Sequence, residues 1–162
     1  MSQTQTAVFA GGCFWGVEHL FLGVEGVKEL QVGYTGGNVP HPSYEQVCTH
    51  TTGHAEAVRI VFDPQIVSFE TLAKLFFEIH DPTQLDGQGP DIGPQYRSAV
   101  FYTSPQQRET ALHLIDILKQ KGLAVVTRVE ELKEFWPAED YHQHYYAKKG
   151  TQPYCHRRVK RF

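Results

Sequence analysis

Cys13 follows Gly11-Gly12 at the end of a short apolar run over residues 7–10, and Phe14, Val17, Leu20 and Phe21 come after it at helical spacing. That pattern reads as a strand, a tight turn and a helix start that places the thiol at a helix N-terminus. Unpaired N–H groups and the helix dipole there favour a thiolate, whereas an ordinary thiol of pKa ~8.5 is little ionised at neutral pH. The expected chemistry is nucleophilic attack by sulfur. A buried structural cysteine is the bland alternative. Gly16 stands where a redox CxxC would carry its second thiol, so any resolving thiol must come from elsewhere.

Glu56 is the second candidate. Residues 54–62 alternate, which puts Glu56 on one face with Val58, Ile60 and Phe62, near His54. Desolvation disfavours the ionised carboxylate, so a buried Glu56 would carry a proton near neutral pH. At the strand end it could instead reach solvent and do nothing. Phe14 and Trp15 read as core or as an apolar wall beside the sulfur, suited to a small neutral substrate with an alkyl group. Residues 81–96 form a Gly/Pro-rich loop that carries Asp86, Asp91 and Tyr96.

Cys48, His50, His54 and Glu56 are metal-ligand types, but Thr51-Thr52-Gly53 interrupts any helix that would align the histidines, and no CxxC or HExxH accompanies them. No metal is expected; Cys48 reads as a buried small hydrophobe, and His142 and His144 as surface or core polar residues. Cys155, beside His156, Arg157 and Arg158, is a thiol near cations or a stray exposed one. The run Arg157, Arg158, Lys160 and Arg161 reads as a solvated end.

Positioning these residues requires an α/β (α+β) domain. After the first strand and helix, which Gly23 stops, residues 27–34 read as a strand with Leu30, Val32 and Tyr34 on one face. A turn at 35–38 and a Pro-punctuated loop follow. Ser68 caps a helix burying Phe69, Leu72, Ala73, Phe76 and Ile79, and residues 98–103 form the next strand. Ser104-Pro105-Gln106-Gln107 reads as a capping box opening a helix that buries Ala111, Leu114, Ile115 and Leu118. A strand over 125–129, a short helix after Pro137 and an irregular tail from about residue 150 complete a single domain over 1–162. The first six elements run β-α-β-β-α-β, the ferredoxin-like split order.

Composition narrows the function. Fifteen Lys+Arg against eighteen Asp+Glu give a net charge of −3, which argues against nucleic acid and hence against an RNA-recognition domain built on the same split order. Three cysteines are too few for a secreted disulfide scaffold, and no apolar run approaches the ~20 residues that span a bilayer. The opening residues show no signal peptide, so a cytoplasmic protein without membrane contact is expected. A cysteine hydrolase using His54 as base is an enzyme rival.

Over residues 8–154 the sequence resembles the A-type peptide methionine sulfoxide reductases. GGCFWG at 11–16, GYTGG at 33–37, GHAEAV at 53–58, HDPTQ at 80–84 and QYRSA at 95–99 match the family's motifs in order. The resemblance implies that Cys13 attacks the sulfoxide sulfur, that Glu56 protonates its oxygen and that Tyr44 and Tyr96 hydrogen-bond that oxygen. It implies further that Asp91 lines the site, and that Phe14 and Trp15 cradle the methyl group. The implied substrate is the S epimer of methionine sulfoxide, free or in proteins. Cys155 is the implied resolving thiol, giving a Cys13–Cys155 disulfide, with thioredoxin as reductant, no cofactor, and a monomeric enzyme. Departures are Pro90 where Asn usually precedes the Asp, Pro94 where Thr is common, and a tail with one cysteine.

Overall fold

The computed structural model describes residues 4–49, 51–88, 91–143 and 158–162. Strand β1 (Gln5–Gly11) runs into helix α1 (Phe14–Phe21), followed by β2 (Val27–Thr35), a short α2 (Tyr44–Cys48), β3 (Ala55–Phe62) and α3 (Phe69–Ile79). Then come the two-residue strands β4 (Gly87–Gln88) and β5 (Asp91–Ile92), a 3-10 turn at Pro94–Tyr96, β6 (Ser98–Tyr102) and α4 (Pro105–Gln120). Strands β7 (Arg128–Glu131) and β8 (Phe135–Pro137) precede a second 3-10 turn at Asp140–His142.

Six strands form one sheet in the order β7-β6-β1-β3-β2-β8, parallel only between β6 and β7. Its inner four, β6-β1-β3-β2, have the pairing that the split β-α-β-β-α-β order demands. The face carrying Phe9, Val32, Tyr34, Val58, Ile60 and Phe62 packs against apolar residues of α1, α3 and α4. Phe9 lies at its centre, stacked on Phe76 at 4.8 Å and Phe21 at 5.9 Å. Burying such a ring stabilises by roughly 1.5–3 kcal/mol. Glu56 belongs to this same face, one strand position from Ala55 and Ala57, which point the other way. The opposite face is small-residued (Val8, Ala10, Ala55, Ala57, Ala99) with Phe101, and is covered by Leu132 and Phe135.

Most helix boundaries follow the expected chemistry. Ser68 accepts the Thr71 N–H at 3.0 Å and caps α3, and Gly23, at φ +82°, supplies the turn after α1. The box expected at Ser104 forms only in half. Ser104 accepts the Gln107 N–H, but the Gln107 side chain accepts from Thr103 N–H and donates to the Thr6 carbonyl, both at 2.9 Å, stitching α4 to β1.

The structure departs from the sequence reading at four further places. The strand expected at 125–129 begins three residues later, because Val126 N–H bonds to the Pro82 carbonyl and the ladder with β6 opens only where Arg128 faces Ala99. The Pro-punctuated loop contains α2, started by a full capping box between Ser43 and Gln46. Strand β8 ends in Pro137, which the edge position beside β2 tolerates. Nor is the basic end simply solvated: Arg158 pairs with the buried Glu78 at 2.9 Å, and Arg161 donates to the Phe77 carbonyl at 2.8 Å. Cys155, His144, His156, Arg157 and the tail's start lie outside the described residues, as do His50 and Pro90.

Candidate active site

The sheet delivers Cys13 where the sequence places it. Gly12 adopts φ +94°, which an L side chain rarely does, and turns the chain out of β1. Cys13 is then the N-cap of α1: its carbonyl accepts the N–H groups of Gly16 at 3.2 Å and Val17 at 3.3 Å, while its side chain makes no capping bond. The residue is 7% exposed.

Glu56 reaches the same helix mouth from β3. Its Oε1 accepts the Phe14 N–H, the first N–H of α1, at 3.3 Å. Its Oε2 is buried with no hydrogen-bond partner among the described residues. Burial pushes the carboxyl up to about 8, the Phe14 N–H pulling down and the Asp91 charge adding to the rise. The carboxyl group therefore holds its proton at neutral pH, and an unpaired buried oxygen is where that proton is available.

Two phenols join them. Burial first, then the Glu56 charge, pushes both the Tyr44 and Tyr96 hydroxyls well above the ordinary phenol range, so both remain O–H donors. Tyr96 also feels the charges of Cys48, Asp91 and Cys13. Cys48 lies one turn along α2 from Tyr44. Burial holds the Cys48 thiol above its usual value, leaving it a poor nucleophile despite its nearness.

An aromatic wall completes the site. Ring centroids of Phe14, Trp15 and Tyr44 lie 6.3–6.4 Å apart pairwise. A sulfur nucleophile, a protonated carboxyl, two phenols and an apolar wall can together attack a neutral polar oxide and protonate its oxygen.

Comparison with known proteins decides the family. The family model described as peptide methionine sulfoxide reductase matches residues 5–162. The chain belongs to the peptide methionine sulfoxide reductase family. A relative named peptide methionine sulfoxide reductase MsrA, from Nautilia profundicola, is 55% identical over 149 residues, covering 92% of this chain and 86% of its own. Among solved structures, reduced Mxr1 from Saccharomyces cerevisiae matches with TM-score 0.90 at 33% identity, covering 96% of this chain and 92% of that one. Methionine sulfoxide reductase A of Corynebacterium diphtheriae matches with TM-score 0.84 at 39% identity, covering 94% and 77%. The chain is thus a methionine sulfoxide reductase with the expected α/β fold.

In this reductase the motif residues outside the chemistry have structural tasks. His54 Nδ1 accepts the Gly37 N–H at 3.1 Å, so its proton sits on Nε2, 2.7 Å from the Val39 carbonyl. With one nitrogen bonded to the GYTGG turn and the other to the Val39 carbonyl beyond it, His54 has no lone pair left to act as the hydrolase base. Arg97 is buried and donates to the carbonyls of Pro94 and Gly53, each at 2.9 Å, tying the turn that presents Tyr96 to the start of β3. Pro94 takes the first position of that turn, where no N–H is needed.

Two residues of the reductase site escaped the sequence reading. His142, fully buried, accepts the Trp15 indole N–H on Nδ1 at 3.0 Å and packs on Phe14, Trp15 and Tyr44 at 4.4–5.4 Å. Burial holds its imidazole below the usual histidine range and therefore neutral. Glu139 accepts the Tyr34 hydroxyl at 3.0 Å and the Tyr44 N–H at 3.1 Å. The available signal was the turn after Pro137, which brings Glu139 back against β2 and His142 against α1; composition alone left His142 among nine histidines.

Proposed function

We propose that this reductase acts on the S epimer of methionine sulfoxide, free or in proteins, with Cys13 as nucleophile and Glu56 as proton donor. The observation that carries the assignment is the buried Oε2 of a protonated Glu56, whose other oxygen is bonded to the first N–H of the helix that Cys13 caps. Cys13 sulfur attacks the sulfoxide sulfur while Glu56 gives its proton to the oxygen, which Tyr44 and Tyr96 also hold by donation. Burial keeps that proton on Glu56, and the charge of Asp91 adds to the effect. Phe14 and Trp15 receive the methyl group. Oxygen passes to Cys13, leaving methionine and a sulfenic acid.

Cys155 then attacks the sulfenic acid, water leaves, and a Cys13–Cys155 disulfide forms. Thioredoxin returns both thiols by supplying two electrons and two protons; Mxr1 of Saccharomyces cerevisiae has been solved in complex with Trx2, which supports this class of reductant. The chain works as one catalytic domain, a cytoplasmic monomer acting in repair of oxidised proteins. Among the described residues no helix is long and apolar enough to cross a membrane.

The test is single turnover without reductant on each epimer. About one equivalent of methionine from the S epimer and none from the R epimer is expected, with loss of the product in Cys13→Ser. Product from the R epimer, or from Cys13→Ser, overturns the reading.

A further inference from the structure

Glu139 is half-buried on the segment after β8, outside every motif that carries the chemistry. Its carboxylate collects three donors. Oε1 accepts the Tyr34 hydroxyl at 3.0 Å; Oε2 accepts the Tyr44 backbone N–H at 3.1 Å and the Tyr141 hydroxyl at 3.4 Å. Tyr44 is the first residue of α2, so its N–H has no partner inside that five-residue helix. Tyr34 is fully buried, and its ring packs on Phe14 at 5.7 Å.

We propose that Glu139 is a positioning residue for the reduction: its carboxylate fixes the start of α2, and through it the Tyr44 phenol, relative to Phe14. The inference rests on the proposed role of Tyr44. The Ser43 box holds the N–H of Gln46 and the side chain of Gln46 holds that of Ser43, which leaves the N–H of Tyr44 to Glu139. On the other oxygen the fully buried Tyr34 anchors the carboxylate, which gives its hold on Tyr44 a fixed base. The bonds outweigh burial and hold Glu139 below the usual carboxylate range, so at neutral pH the clamp is ionised while Glu56 is protonated.

The chemistry of the two oxygens distinguishes reach from charge. In Glu139→Gln the amide oxygen can keep the Tyr44 N–H while the NH2 turns to Tyr34, whose hydroxyl can accept. In Glu139→Asp the charge remains but the side chain is one methylene too short to hold both donors.

The experiment measures single-turnover methionine formation and substrate affinity in Glu139→Ala, Glu139→Asp, Glu139→Gln and Tyr44→Phe, and in Glu139→Ala combined with Tyr44→Phe. Expected is a loss on the order of 10- to 100-fold in rate for Glu139→Ala and Glu139→Asp with affinity little changed, and near-normal rate for Glu139→Gln. The double variant should be no slower than Tyr44→Phe by itself, because Glu139 acts through that phenol. Multiplying losses in the double variant overturn the proposal, as does an unchanged rate in Glu139→Ala. Should Glu139→Ala fail to fold, the Asp and Gln variants decide: a normal Glu139→Asp with a slow Glu139→Gln makes charge, not reach, the cause and ends it. An unchanged Tyr44→Phe would instead remove the role of Tyr44 itself.

Discussion

Glu56 and Phe14, 42 positions apart, are joined by a 3.3 Å hydrogen bond from the Phe14 N–H to Glu56 Oε1. The bond fastens a β3 carboxyl to the mouth of α1, so the group that gives a proton and the cysteine that attacks share one anchor. Acid catalysis from Glu56 requires the protonated form, and its carboxyl is pushed up to about 8. The chemical rate should therefore hold level through neutral pH and fall above about 8 as the proton is lost. In Glu56→Gln kcat should drop by about 10²–10⁴-fold with substrate affinity largely kept, and the alkaline fall assigned to Glu56 should vanish. A pH–rate profile of the single-turnover step checks both; an unchanged kcat removes Glu56 from the role.

The same burial has a consequence for stability. The folded state binds a proton at Glu56 up to about pH 8, whereas a glutamate carboxyl in the unfolded chain releases it near 4.5. Between those values the folded protein holds more protons than the unfolded chain, so this group's contribution to stability declines as pH rises. Glu56→Gln, neutral throughout, should show a flatter stability profile from pH 5 to pH 8 and greater stability than the parent at the upper end. Urea unfolding across that range reads the difference. Parallel profiles would place the carboxyl in a more solvated state.

Separating attack from recycling needs the cysteines one at a time. Cys155→Ser should still release about one equivalent of methionine and then stall with thioredoxin, while Cys48→Ser should cycle, since the Cys48 thiol is held in its protonated form by burial. Methionine counted against enzyme, with and without thioredoxin, checks this. Sustained turnover by Cys155→Ser would transfer the resolving role.

What was legible from sequence was what local patterns encode. The turn glycines before Cys13, the period-2 alternation that turned Glu56 inward and the Ser68 cap each report on a few adjacent residues, and each is found where expected. Glu139 and His142 were not legible, because their significance comes from β8 pairing with β2 across about a hundred residues. Gly33 shows the other half of that contact: a Cβ there would collide with the Phe135 ring and the Trp136 carbonyl. In sequence it is one glycine of a motif; in the fold it is the space that β8 occupies. The strand misplaced over 125–129 failed for the same reason, since β-branched residues signal a strand but the partner sets its register.

His142 should prove to be a determinant of substrate binding rather than of proton transfer. Its neutral imidazole accepts the Trp15 indole N–H at 3.0 Å and sets the ring against Tyr44. His142→Leu removes that acceptor at about 1–3 kcal/mol. KM for methionine sulfoxide should rise several-fold with a smaller change in kcat, and the melting temperature should fall. A kcat loss without a KM change would assign His142 to the reacting atoms.

Arg97 offers the sharpest separation of geometry from charge. Its guanidinium spans two carbonyls, Pro94 and Gly53, at 2.9 Å each, and so joins the turn bearing Tyr96 to the strand bearing Glu56. A lysine keeps the charge but offers a single ammonium on a flexible stem, which cannot reproduce two bonds in a fixed plane. Arg97→Lys should lower stability by about 1–3 kcal/mol, the cost of a buried carbonyl left without its donor. It should also slow the chemical step more than it weakens binding, because Tyr96 loses its fixed place over the sulfoxide oxygen while the aromatic wall is untouched. Chemical denaturation and single-turnover rates on the same preparation measure the two effects together. Lost stability with an unaltered single-turnover rate would show that Tyr96 is placed by something other than Arg97.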